Sequence, residues 1–153
     1  MKVWISQFYL DAAASFSFTH VMQLFVSAEL SSVADDCSDF QRKHGPDFEL
    51  MVRVNADAML SENKIMGPTV FKKTKDVEYV VTLPFGVVTK APDGRRAAME
   101  FLMAGVRSVF QKAGIDPAKL DEHTTFIIDR VCSDPSMFKE PWPTGRRTSS
   151  ALH

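Results

Sequence analysis

The pattern that most constrains this chain lies between Gly67 and Ile115, where a hairpin, a short loop and a long amphipathic helix follow one another. Apolar residues recur at Met99, Leu102, Met103, Val106, Phe110 and Ala113, the i, i+3, i+4, i+7 spacing that lines one face of a helix. Arg96, Glu100, Arg107 and Gln111 fall on the other side. Asp93 offers a side-chain N-cap, and Lys112 sits in the last turn. Gly114 followed by Ile115 gives a Schellman stop in which Ile115 folds back on Phe110. These signals predict a helix from Gly94 to Ala113 with a core-facing stripe. Upstream, Val77, Tyr79, Val81 and Leu83 alternate with Glu78, Val80 and Thr82. One face of this strand is strictly apolar and the other mixed, as expected of a strand that is central or covered on both sides. Val70 to Lys73 reads as its partner across the turn Lys73–Asp76, with Pro68 marking where that partner begins and Pro84 where the second strand ends.

The flanking segments read less uniformly. Val3 to Leu10 is rich in β-branched and aromatic residues and is expected to be a strand. Phe16, Phe18, His20, Met22, Leu24 and Val26 alternate with Ser15, Ser17, Thr19, Val21, Gln23 and Phe25, which predicts a second strand carrying His20 on its apolar face. Ser27 then caps a helix to about Lys43, with Leu30, Val33, Ala34, Cys37 and Phe40 inward and Gly45-Pro46 as its stop. Phe48 to Val54 is a strand with Leu50 and Val52 inward, followed by a looser polar segment from Asn55 to Asn63. Phe85 to Pro92 is a loop in which Val87-Val88 extends a strand. Asp116-Pro117 opens a single helical turn through Leu120, and Thr124 to Val131 is a final strand of mixed pattern. The expected architecture is α+β: one domain over 1–132, a mixed, mostly antiparallel sheet, and two main helices packed largely on one face. Residues 133–153 form a Pro/Ser-rich tail, which Trp142 between Pro141 and Pro143 is expected to pin to the body.

Charge and motifs narrow the chemistry. With 18 basic and 19 acidic residues, for a net charge of -1, the chain lacks the cationic bias of a general nucleic-acid binder. Cys37 and Cys132 are far apart with no C-x-x-C spacing, so they are expected to be buried free thiols in a reducing compartment. Met1-Lys2, the apolar run to Leu10 and Ala12 to Ala14 have the outline of a signal peptide, but Ser6 and Gln7 interrupt it. No apolar run is long enough to span a membrane, and the cytoplasm is the expected location. Neither GxGxxG nor GxxxxGK[ST], G-x-S-x-G or H-E-x-x-H occurs, and the histidines at 20, 44, 123 and 153 share no metal-ligand spacing. No cofactor or metal is therefore expected. Lys72, Lys73 and Lys75 with Phe71 and Tyr79 are the residue types of a single-strand binder, although lysines at a hairpin tip also guard exposed sheet edges. On the 27–43 helix, Asp35 and Asp39 make a like-charge i,i+4 pair with Asp36 beside them, offset in part by Arg42 and Lys43. An acidic face of this kind suits a basic partner.

Between Gly67 and Leu120 the chain resembles small immunity proteins of bacterial polymorphic toxin systems, those delivered by contact-dependent inhibition, Rhs or type VI routes. The resemblance rests on G-P-T-V-F-K-K before a strand, the strand end V-T-L-P-F, and the long helix with its A-G-I-D exit. It implies a cytoplasmic, non-enzymatic α+β protein that binds one cognate toxin domain, often a nuclease, and blocks its site. On that expectation Asp35, Asp36 and Asp39, joined by Asp47 and Glu49, face a cationic toxin surface, and Trp142 supplies an anchor. The alternative is an enzyme or small-molecule-binding domain whose site is assembled from distant residues, with His20, His123 and Asp129 the first candidates.

Overall fold

A computed structural model describes the protein over residues 1–7 and 18–139. Trp142 and the first predicted strand beyond Gln7 lie outside the described residues. Four strands, β1 (Val3–Gln7), β2 (Glu49–Asp57), β3 (Lys64–Phe71) and β4 (Asp76–Pro84), form one sheet in the order β1-β2-β4-β3. Among the described residues five α-helices accompany them: α1 (His20–Val33), α2 (Ser38–His44), α3 (Phe85–Lys90), α4 (Gly94–Ala113) and α5 (Ala118–Cys132). The chain is a single α+β domain with a mixed sheet. Within that class the pairings differ from the expected antiparallel majority: β1–β2 and β2–β4 are parallel, and β3–β4 alone is antiparallel. For β1–β2 the cause is the helical crossover through α1 and α2, which returns the chain alongside β1 in the same direction; β4 runs parallel to β2 because the chain first crosses to the outer strand β3 and turns back by a hairpin.

The central unit follows its sequence signals closely. Asp93 accepts a hydrogen bond from the Arg96 N–H at 3.1 Å, opening α4 at Gly94. Gly114 takes the left-handed conformation with φ of 82°, and the Ile115 N–H donates to the Phe110 carbonyl at 2.9 Å, closing the Schellman stop. β4 is central, and its Val77, Tyr79, Val81 and Leu83 are all buried. Leu50, Val52, Val54 and Ala56 of β2 and Val3 and Ile5 of β1 complete the same face in register. Gly105 lets α4 lie tight on this face, because a Cβ there would stand 2.5 Å from Val81 Cγ1, a stiff β-branched neighbour. Asn63 ties the β2–β3 connection to the same helix by donating to the Phe101 carbonyl at 2.7 Å.

Several predicted elements are corrected. The alternation over Phe16–Val26 belongs, from His20 onward, to α1: Thr19 caps it by accepting the Met22 N–H, and Met22, Val26, Leu30 and Val33 are buried at helical spacing. His20 is accordingly exposed at the helix start rather than set on an apolar strand face. The single helix expected from Ser27 to Lys43 is two, broken at Ala34–Cys37, with Phe40 buried by α2 and Gly45 at its C-cap. Thr124–Val131 is no strand but the second half of α5, whose Leu120, Ile127, Ile128 and Val131 are buried. Phe85–Lys90 forms the short α3 with Val88 and Thr89 buried. Strand β3 begins at Lys64, before Pro68, and is interrupted between Met66 and Thr69. Past α5 the chain still belongs to the body: Met137 and Phe138 are buried, and Phe138 bridges to Phe18.

Helix α1 also closes one edge of the sheet. The outward N–H groups of Val3 and Ile5 donate to Ser31 Oγ and Ser27 Oγ, each at 2.9 Å. Two serines one turn apart thus replace a neighbouring strand. No helix among the described residues is long and apolar enough to cross a membrane.

Candidate protein-binding surface

With Met22, Val26, Leu30 and Val33 inward, and Ser27 and Ser31 turned to β1, the outward stripe of α1 is fixed by helical geometry. It runs through Val21, Leu24, Ala28 and Ser32 to Asp35, just past the helix end. Val21 and Leu24, one turn apart, are each 51% exposed. Helix α5 runs antiparallel beside α1. Across the seam Glu29 bonds His123 Nε2 at 2.5 Å, and Arg130 lies over the Phe25 ring at 5.6 Å. Phe126, 49% exposed and stacked on His123 at 4.8 Å, adds a second apolar element on the α5 side. On the other flank a hollow of about 470 Å³ is lined by Met1, Lys2, Ala28, Ser31 and Ser32.

The lower end of the stripe is acidic. Asp35 and Asp36 occupy the linker between α1 and α2, so the i,i+4 repulsion expected of Asp35 and Asp39 within one helix does not arise. The linker is clasped to the α4–α5 turn, with the Asp116 N–H donating to the Asp36 carbonyl at 2.9 Å and Lys119 paired with Asp35. Between the two segments lies a hollow of about 340 Å³ lined by Asp36, Ser38, Asp39, Gln111, Gly114, Asp116 and their neighbours.

The expected acidic residues fare differently. Asp39 is engaged by Arg42 at 2.6 Å, Asp47 by Lys75 at 3.3 Å, and Glu49 accepts from Trp4 Nε1 at 2.9 Å. Asp47 and Glu49 are thus engaged by the β3–β4 hairpin and by β1. Asp36 accepts only from Ser38 Oγ at 3.1 Å, and Asp116 caps α5 through the Ala118 N–H at 3.0 Å. Neither of these two carboxylates forms an ion pair among the described residues. The sequence pattern did not place Asp116, Val21, Leu24 or Phe126 in a site; for Val21 and Leu24 the signal was the spacing 21, 24, 28, 35, hidden by the apparent strand alternation.

The alternative trio does not converge. His20 stands at the start of α1, His123 bonds Glu29, and Asp129 pairs with Arg96. Among the described residues no group of three or more His, Cys, Asp and Glu side chains is arranged to hold a metal ion. Cys37 is buried, and Cys132 is half-buried with its thiol pushed up by desolvation.

The clasp has a pH signature. The Lys119 ammonium hydrogen-bonded to Asp35 holds that carboxyl below the usual carboxylate range, and Ser136 does the same for Asp134. A carboxyl that titrates lower in the fold contributes fully above the ordinary Asp value of about 3.9 and loses that contribution as pH falls through its depressed folded value. In an NMR carboxyl titration, Lys119→Met is expected to return the Asp35 midpoint upward while Asp134 stays low. An unmoved Asp35 midpoint would mean the clasp does not set its charge. Comparison of the chain with protein-family models, curated proteins and solved structures gave no match.

Proposed function

We propose that this chain is a cytoplasmic, non-enzymatic immunity protein that binds one cognate toxin domain, a nuclease in the reading its charge favours, and occludes it. One observation supports this above the others: the outward stripe of α1 runs from exposed Val21 and Leu24 through Ala28 and Ser32 to Asp35 past the helix end, where Asp36 and, across the clasp, Asp116 gather. An apolar anchor beside a charged rim is the composition of a protein-binding surface. A nuclease carries a cationic surface for phosphates, and carboxylates on a rim steer such a surface into place. In this proposal Leu24 and Phe126 are the anchors and Asp36 and Asp116 the steering charges; Asp35 and Asp39 act through their clasp and ion pair.

The test takes whichever toxin-like C-terminal domain the gene immediately upstream encodes; the absence of one counts against the reading. Asp36→Lys with Asp116→Lys is expected to slow association at low salt by about tenfold or more, the gap narrowing as salt screens it. Unchanged association kinetics would show that the acidic end does not steer the partner.

A further inference from the structure

The two edges of the sheet are treated oppositely. Edge β1 is sealed by the serines of α1, whereas β3 pairs with β4 alone, and no hydrogen bond of the described residues reaches its outer side. Nearly every β3 residue is exposed, Met66 at 53% and Phe71 at 44% among them. Lys64 stands at one end and Lys72 and Lys73 at the other, none reached by a carboxylate of the described residues, while Lys75 is taken by Asp47. Pro68 and the bulge between Met66 and Thr69 divide the edge into two short runs. Such devices block long, indiscriminate pairing but leave alternate N–H and C=O groups of each run available.

We propose that β3 is a second interaction surface, one that accepts a short extended segment of a partner protein bearing carboxylates at its ends. Backbone pairing supplies the affinity and the lysines select the sequence. The same charges argue against a second copy as occupant. Antiparallel self-pairing about the middle of β3 would set Lys64 of one chain beside Lys72 and Lys73 of the other, and like charges across strands destabilise. The edge lies three strands from β1, about 14 Å across the sheet, so it is separate from the α1 surface. It does not depend on the toxin reading.

The probe is a synthetic strand peptide with glutamates at both ends and alternating valine and threonine between them, tested beside a lysine-ended counterpart. With the full chain, the glutamate peptide is expected to slow amide exchange several-fold at Lys64–Met66 and Thr69–Phe71, and the lysine peptide to leave these amides unchanged. Lys72→Glu with Lys73→Glu, exposed at the hairpin tip, is expected to reverse that preference. No protection at saturating peptide, equal protection by both peptides, or concentration-dependent protection by the chain itself would each overturn the proposal.

Discussion

Phe110→Ala is expected to cost about 3–5 kcal/mol of unfolding free energy, a large share of the roughly 5–15 kcal/mol that holds a domain folded. Phe110 is fully buried on α4, and its own carbonyl receives the Ile115 N–H that ends the helix. Removing the ring leaves a cavity where α4 meets the core, and close packing prevents the surroundings from filling it. For a chain of this size, each kcal/mol shifts Tm by about 2–4 °C. Thermal and denaturant unfolding of the variant measure the loss; a cost below about 1 kcal/mol would show that the α4 stripe is not the centre of the core.

Leu24→Asp is expected to separate stability from binding. At 51% exposure, Leu24 contributes little to the fold, so its replacement changes stability by no more than about 0.5 kcal/mol. As the central apolar anchor of a desolvated contact, it is expected to cost about 2 kcal/mol or more in affinity, roughly thirtyfold. Calorimetry of the free variant and of its complex with the toxin domain measures the two effects separately. A large stability loss would place Leu24 in the core and remove the ridge; full affinity would leave the ridge without a role.

The same residues explain what was legible in the chain. In α4 and β4 every apolar position of the period is buried, so spacing, cap and stop all agree. The acidic group around Asp35, Asp36 and Asp39 was visible for the same reason, as charge clustered at one place in the chain. In α1 the exposed Val21 and Leu24 add apolar residues to the solvent side, and Leu24 beside Met22 and Val26 mimics the two-residue period of a strand. In α5 exposed Phe126 next to buried Ile127 and Ile128 blurs the helical period in the same way. Local pattern failed where side chains are apolar without packing inward, and those positions form the proposed surface. Asp116 was hidden for another reason: only the approach of the α4–α5 turn to the α1–α2 linker brings it to Asp36. Parallel pairing of β1 with β2 followed once α1 was a helix, since a crossover element returns the chain in the same direction.

The most direct measurement is growth protection in cells producing a candidate toxin domain, taken from the gene immediately upstream where that gene encodes one, with this chain and its Leu24→Asp variant co-expressed at equal levels. Protection by the native chain, lost in the folded variant, is the result expected of a binder that acts through the α1 ridge. Failure of the native chain to protect or to form a complex, or undiminished protection by Leu24→Asp, would contradict it.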